Sequence, residues 1–211
     1  DGVDLEGCHD GCAFCGRSWT PYRVASFMDF AVAQAVQADR DLEPGDGLLR
    51  LDVLSAAVWR DLETFVERLY DEGVRPFHLY VSARLDAIVA AAASIDRLLP
   101  RFTARGDGLT LYTSGVENFS EVENQRLNKG LSLDTIAAGT ARIQGWYEAW
   151  PETFGSTAYR GLSTILFTPW TTLADVRINL EHFAANPLIP ASARLGSYLL
   201  LYPGRPVTRL A

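Results

Sequence analysis

The sequence has only three cysteines, no cluster of basic residues and no long apolar run, and each shortage excludes a class of protein. All three cysteines fall between positions 8 and 15 of the 211 residues. A secreted disulfide framework needs an even number of cysteines spread along the chain. The pattern therefore favours a metal or redox site in a reducing compartment, and we expect a cytoplasmic protein.

Basic residues are outnumbered and scattered. The chain has 19 Lys and Arg against 26 Asp and Glu, which gives a net charge of −7. Nucleic-acid binders present a basic face to the phosphates, so general nucleic-acid binding is not expected. No stretch of about 18 apolar residues is present, so no membrane span is expected. With 48% hydrophobic and 21% charged residues, the composition is that of an ordinary globular domain.

Short apolar runs alternate with longer segments of helical period, which predicts an α/β fold. The predicted strands are 48–53, 77–81, 109–113, 162–167 and 196–201. The first three predicted helices cover roughly 21–38, Ser55 to Gly73, and Leu85 to a stop at Pro100. A fourth helix begins at Ser132. A fifth begins at a capping box formed by Thr172 and Asp175, and its predicted inward residues are Leu173, Val176, Leu180 and Phe183. Such alternation implies a parallel sheet, open or closed into a barrel, with its active site at the carboxyl ends of the strands.

The cysteines form the motif Cys8-His-Asp-Gly-Cys12-Ala-Phe-Cys15. Thiolates are suited to iron–sulfur clusters and to zinc. Three of them leave one iron of a cubane cluster without a protein ligand, whereas most electron-transfer clusters use four. The alternatives are three buried cysteines without a metal, or a zinc site that includes His9, although a neighbour of Cys8 is awkwardly placed for a tetrahedral ligand.

This C-x3-C-x2-C motif, with Phe14 before its last cysteine, resembles the signature of the radical S-adenosylmethionine (SAM) enzymes. The resemblance implies that Cys8, Cys12 and Cys15 hold a [4Fe–4S] cluster whose open iron is chelated by SAM, with Phe14 beside the cofactors. One electron then splits SAM into methionine and a 5′-deoxyadenosyl radical, which takes hydrogen from a substrate that the sequence does not identify. An external donor such as a flavodoxin or ferredoxin is implied as the electron source.

The same resemblance implies a fold, a partial (β/α)6 TIM-like barrel. One radical SAM core domain would cover residues 1–211, with the first strand missing or truncated and the chain being part of a longer protein. The alternative to an enzyme is a non-catalytic iron–sulfur or zinc protein with a structural or electron-transfer role.

Two downstream segments also resemble the family. Thr113-Ser-Gly-Val-Glu-Asn118, followed by Leu127-Asn-Lys-Gly130, is similar to its fourth-strand segment and implies that Glu117 contacts the ribose hydroxyls of SAM. The alternative for Glu117 is a solvated loop acid, and Lys129-Gly130 is interpreted as a turn. The segment 165–172 is similar to the fifth-strand region, where Trp170 lies beside the adenine or closes the end of the barrel.

Two further residues are candidate SAM contacts. Arg84 follows the second predicted strand and is suited to a bidentate bond with the SAM carboxylate, the alternative being a surface arginine at a helix start. The family commonly carries a Gly-Gly-Glu-Pro-like segment that binds the SAM amino group. This chain has Asp52-Val-Leu-Ser55 at that point, so Asp52 is the expected substitute.

Overall fold

The computed structural model of the protein describes residues 4–6, 22–24, 27–43, 45, 47–53 and 56–185. Its elements, in chain order, are β1 (Asp4–Glu6), β2 (Tyr22–Val24), α1 (Phe27–Asp41), β3 (Leu49–Val53), α2 (Ala56–Arg60), α3 (Leu62–Asp71), β4 (Phe77–Ser82), α4 (Leu85–Arg105), β5 (Gly108–Glu117), α5 (Glu121–Arg126), α6 (Leu133–Ala149), β6 (Phe154–Thr164) and α7 (Leu173–Ala185). The cysteine motif, Ser55 and the predicted strand 196–201 lie outside the described residues. None of the helices described here is long and apolar enough to cross a membrane.

Strands β3, β4, β5 and β6 form one sheet in that order, and every neighbouring pair is parallel. Leu51 lies opposite Leu79, and Leu79 lies opposite Leu109, so the apolar positions of three strands stand in register. β1 and β2 form a separate antiparallel pair. The predicted α/β fold with parallel strands is therefore confirmed, and four of the five predicted strands are found in this sheet.

The two faces of the sheet differ in chemistry because side chains alternate along each strand. In β4, Phe77, Leu79 and Val81 are fully buried, whereas His78 and Tyr80 on the other face are only half-buried. The buried strand residues join a core with apolar residues of the helices, including Val58, Leu62, Leu69, Ile88, Ile95, Ile143 and Trp146. Connections between parallel strands are right-handed, so a sheet whose strands follow chain order receives its helices on one face. The other face is left to polar and aromatic residues.

Two predicted helix starts are confirmed. Ser132 caps α6, and its hydroxyl accepts a hydrogen bond from the Thr135 amide at 3.2 Å. Thr172 and Asp175 form the reciprocal capping box of α7, since each side chain accepts from the other's backbone amide, at 3.3 Å and 2.8 Å. Local hydrogen bonds of this kind depend on residues three positions apart and are therefore visible in the sequence.

The prediction that Pro100 ends its helix is wrong. α4 continues to Arg105 and ends at Gly106, whose φ of 82° is the left-handed conformation that glycine adopts freely. A proline inside a helix removes one hydrogen bond, at a cost of about 3 kcal/mol. Burial of Leu98, Leu99 and Phe102 around it offsets that cost, because this turn of the helix packs into the core.

Three other boundaries differ from the predictions. The segment predicted as helix 21–38 begins with strand β2, which pairs with β1, and its helix runs from Phe27 to Asp41. The predicted helix from Ser55 to Gly73 is described as two helices, α2 and α3, although its end at Gly73 is confirmed by a φ of 70°. The strand predicted at 162–167 is β6, which runs from Phe154 to Thr164. It starts earlier than predicted because its ladder with β5 includes the polar and glycine residues that precede Leu162.

The inward face predicted for α7 is also wrong in part. Leu173 is 89% exposed and Leu180 is 48% exposed, whereas Phe183 is buried as expected. The buried stripe of this helix consists of Asp175, Asn179 and Phe183. Hydrogen bonds to the loop after β5 turn these polar residues inward, and hydrophobic periodicity does not detect them.

The start of β4 is held by one buried carboxylate. Asp107 accepts hydrogen bonds from the Phe77 amide and the Tyr70 hydroxyl, both at 2.8 Å, and pairs with Arg105. Burial and the bond to Asp107 hold the pKa of Tyr70 above its usual range, so its hydroxyl keeps its proton and remains a donor. Asp107 thus joins the end of α3, the start of β4 and the end of α4.

Replacing this carboxylate should destabilise the fold. Asp107→Ala leaves the buried Phe77 amide and the Tyr70 hydroxyl without their acceptor, which should lower the free energy of unfolding by about 2–3 kcal/mol in urea denaturation. The matched control is Asp71→Ala at an exposed helical position, which should change it by no more than about 0.5 kcal/mol. Equal effects of the two substitutions would contradict this role.

Candidate functional site

The predicted SAM contacts in the described part of the chain lie at one edge of the sheet. They are Asp52 near the end of β3, Arg84 after β4, Glu117 at the end of β5 and Trp170 after β6. Because the strands are parallel, their carboxyl ends share this edge, which is where α/β proteins bind ligands. Phe14, Cys8, Cys12 and Cys15 lie outside the described residues.

Glu117 is buried in an ion pair. Its Oε1 accepts a hydrogen bond from Lys129 Nζ at 2.7 Å, and the two side chains are 8% and 5% exposed. Glu117 is therefore not a solvated loop acid, and Lys129 contributes more than a turn. Removing two charges from water costs about as much free energy as their attraction returns, so buried pairs seldom add much net stability. The burial of this ion pair is therefore better explained by a role other than stabilising the fold.

Gly115 provides the space in which this pair forms. A Cβ atom on Gly115 would lie 2.1 Å from Glu117 Oε1 and 2.7 Å from Lys129 Nζ, so no larger residue fits without displacing the pair. The β5–β6 ladder shifts register between Gly115 and Glu117, and the Glu117 carboxylate folds back over the glycine. Glu117 also has a φ of 64°, a conformation that costs free energy for a residue with a Cβ and that concentrates at functional sites.

Lys129 is positioned by its backbone as well. Its amide donates to the Asn124 carbonyl at 2.8 Å, and the preceding Asn128 is left-handed with a φ of 51°. The Lys129 carbonyl accepts from Arg84 Nη2 at 2.7 Å, while Arg84 also pairs with Asp86 at 2.9 Å. The guanidinium that was predicted to bind the SAM carboxylate thus links the end of β4 to the turn that carries Lys129.

A network of amides joins the loop after Glu117 to α7. Asn118 Oδ1 accepts from the Ser120 amide and from Asn179 Nδ2, both at 2.8 Å. Asn179 Oδ1 in turn accepts from the Phe119 amide at 2.9 Å, and Ser120 Oγ donates to Asp175 at 2.6 Å. Hydrogen bonds, first that from Ser120, hold the pKa of Asp175 below its ordinary value, so it remains an ionised acceptor.

The turn that carries Trp170 is held by a second buried acid. Glu123 is fully buried and accepts hydrogen bonds from the hydroxyls of Thr168, at 2.6 Å, and Thr171, at 3.1 Å. Arg126 pairs with Glu123 and also donates to the Trp170 carbonyl at 3.2 Å. The half-buried Trp170 therefore lies in a turn that is hydrogen-bonded to α5.

Asp52 belongs to the polar face of the sheet. Its carboxylate pairs with Arg50 at 3.1 Å, both side chains being more than half exposed. The Arg50 guanidinium lies 4.1 Å from the centre of the Tyr80 ring, and the rings of Tyr80 and His78 are 4.8 Å apart. His78 Nε2 is hydrogen-bonded to the Thr110 hydroxyl at 2.7 Å. This face presents charge, aromatic rings and hydroxyls next to the edge where Glu117 lies.

The sequence contains a signal that Lys129 is more than part of a turn. Among the 19 basic residues of the chain, Lys129 is the only lysine, and all others are arginine. Glu123 and Asn179 carry no such signal, because acids and amides are common in solvated helices. No group of three or more His, Cys, Asp or Glu in the described segments is arranged to hold a metal ion.

The space provided by Gly115 can be tested by filling it. Gly115→Ala should lower the free energy of unfolding by about 1–3 kcal/mol, because the added methyl group displaces the buried ion pair. The control is Gly145→Ala in α6, where a Cβ meets nothing within 4 Å and the helix should gain up to about 1 kcal/mol. If chemical denaturation finds Gly115→Ala as stable as Gly145→Ala, the carboxylate does not lie against Gly115.

The polar face should make stability depend on pH. Burial, and then the charge of Arg50, lower the pKa of His78 below its ordinary value of about 6.5. As pH falls, His78 is therefore protonated in the unfolded chain at a higher pH than in the folded protein. Its contribution to the free energy of unfolding is present above about pH 6.5 and is lost as pH falls towards the pKa of His78 in the folded protein.

Thermal unfolding between about pH 7.5 and about pH 5 should show this loss in the native protein and a smaller loss in His78→Gln. Other groups that titrate in this range are common to both proteins and cancel in the comparison. Parallel curves for the two proteins would contradict the assignment.

Comparison with known proteins does not identify this site. The chain matches no family model, no curated protein and no solved structure.

Proposed function

We propose that the protein is a radical SAM enzyme, with a [4Fe–4S] cluster held by Cys8, Cys12 and Cys15 and with SAM bound at the carboxyl edge of the sheet. The observation that carries the proposal is the agreement between two independent parts of the chain. The sequence has a three-cysteine motif, and Glu117, which the resemblance assigns to SAM, is a buried acid at the end of a parallel strand.

A partial (β/α)6 barrel is the proposed architecture. In support, the strands of the sheet follow one another in chain order without a reversal, as they do in a barrel. The face opposite the helices carries Arg50, His78, Tyr80 and Thr110, and polar groups there are suited to the lining of a ligand site within a barrel.

The residues at the edge fit SAM to different degrees. An ionised carboxylate has about four acceptor positions, so the bond from Lys129 to Glu117 leaves acceptors for ribose hydroxyls. Asp52 is an exposed carboxylate suited to an ammonium group, and the indole of Trp170 is suited to cover an adenine. The bonds of Arg84 to Asp86 and to the Lys129 carbonyl support a positioning role for Arg84 rather than a carboxylate clamp.

The chemistry of the proposed reaction comes from the cofactors: reductive cleavage of SAM at the cluster supplies a radical that removes hydrogen from the substrate. The protein's own residues bind and orient. Glu117 holds the ribose, and the network from Asn118 to Asn179 keeps the edge rigid. The proposal includes an external one-electron donor of the flavodoxin or ferredoxin type and a reducing, cytoplasmic compartment.

Metal analysis tests the proposal directly. Anaerobic reconstitution should give about four irons and four sulfides per chain, and Cys8→Ala, Cys12→Ala or Cys15→Ala should each abolish the cluster, since two thiolates hold a cubane poorly. His9→Ala is the matched control within the motif and should retain the cluster. Stoichiometric zinc without sulfide would instead support the zinc-binding alternative.

Turnover separates an enzyme from a structural iron–sulfur protein. With a strong one-electron reductant, the reconstituted protein should convert SAM to 5′-deoxyadenosine and methionine. If protein with an intact cluster and bound SAM takes up the electron and yields neither product, the enzyme proposal fails and the non-catalytic alternative replaces it.

A further inference from the structure

We infer that Lys129 is a positioning residue for the ribose diol of the bound nucleoside, and that it acts through Glu117. The inference deepens the proposed function and rests on it. Lys129 has not been assigned a role by any motif, because the sequence alone suggests only a turn at that point. Its role follows from its burial, its partner and its rarity in this chain.

The geometry around Glu117 is costly in three separate ways. Two charges are buried together, Glu117 adopts a left-handed backbone, and the pair lies where a Cβ at position 115 would displace it. A pair of well-packed apolar side chains would stabilise the fold at least as well. All three costs serve the same result, which is a carboxylate fixed at one place on the edge of the sheet.

Lysine has a specific advantage as the partner of this carboxylate. Its ammonium is a compact charge, whereas the guanidinium of arginine is a wide planar fork that engages a carboxylate through both oxygens. Lys129 Nζ bonds to Oε1, which leaves acceptor positions of Glu117 for other donors. Of the 19 basic residues in the chain, 18 are arginine, and Lys129 is the single lysine.

Charge balance explains why the partner is a cation at all. A ribose is uncharged, and covering an isolated carboxylate with it would leave a net charge away from water. With Lys129 in place, Glu117 is neutralised before the ligand arrives, so only hydroxyl bonds are exchanged on binding. Arg84 holds the Lys129 carbonyl from the end of β4, so the ammonium is fixed relative to two strands.

A double-substitution cycle tests this coupling. SAM affinity is measured by calorimetry on reconstituted native protein, Glu117→Gln, Lys129→Arg and the combined variant. Each single substitution should weaken binding by about tenfold, because a charge-assisted bond is lost or misplaced. The combined variant should bind no more weakly than Glu117→Gln alone, since Lys129 has no carboxylate to position there. Additive losses would overturn the inference.

Lys129→Arg is preferred over Lys129→Met because it keeps the charge next to buried Glu117 and should therefore remain folded. The 2′-deoxy analogue of SAM provides the matched ligand control. If Lys129 acts on the ribose diol, its substitution should weaken binding of the analogue much less than binding of SAM. An equal loss for both ligands would indicate a merely structural role.

The single lysine also allows a spectroscopic test. Labelling with [15N]lysine gives one Nζ resonance in this chain, because Lys129 is its only lysine. The resonance should move on saturation with SAM, and it should move in Glu117→Gln without ligand. A resonance that SAM leaves unchanged, in protein that calorimetry shows to be saturated, overturns the inference.

The failures are distinguishable. If native reconstituted protein does not bind SAM, the proposed function and this inference fall together. If it binds SAM and Lys129→Arg binds equally well, only the inference is wrong.

Discussion

The buried ion pair between Glu117 and Lys129 is the interaction on which the geometry of the sheet edge depends. The pair lies where a Cβ at position 115 would displace it, Glu117 has a left-handed backbone, and a turn brings Lys129 back to the end of β5. Arg84, which follows the neighbouring strand β4, donates a hydrogen bond to the Lys129 carbonyl in this turn. One electrostatic contact therefore fixes residues from three segments of the chain, at a place where the apolar core ends.

Polar contacts, rather than apolar burial, organise the outer part of this edge. Asn118, Ser120 and Asn179 exchange hydrogen bonds that turn the polar stripe of α7 inward and leave Leu173 exposed. Glu123 does the same for the turn that carries Trp170. Buried polar groups must be satisfied, so a network of this kind permits few alternative arrangements.

The direction of winding places the helices of the described sheet on one face. With strands in chain order and helices on one face, the sheet keeps its second face for Arg50, His78 and Tyr80, and this face meets the edge that carries Glu117. A sheet with helices on both faces leaves only the crevice at its edge. The described sheet therefore has a polar face beside the edge that carries Glu117.

The sequence by itself determined the α/β class, four strands of the sheet, the caps at Ser132 and Thr172, and the presence of an acid at the end of β5, since these follow from periodicity and from bonds between near neighbours. Tertiary structure decided the partner of that acid, the passage of α4 through Pro100 and the inward face of α7. Each of these depends on contacts between residues distant in sequence, such as Asn118 with Asn179. The free energy of such contacts overrides local preference, and no local pattern encodes them.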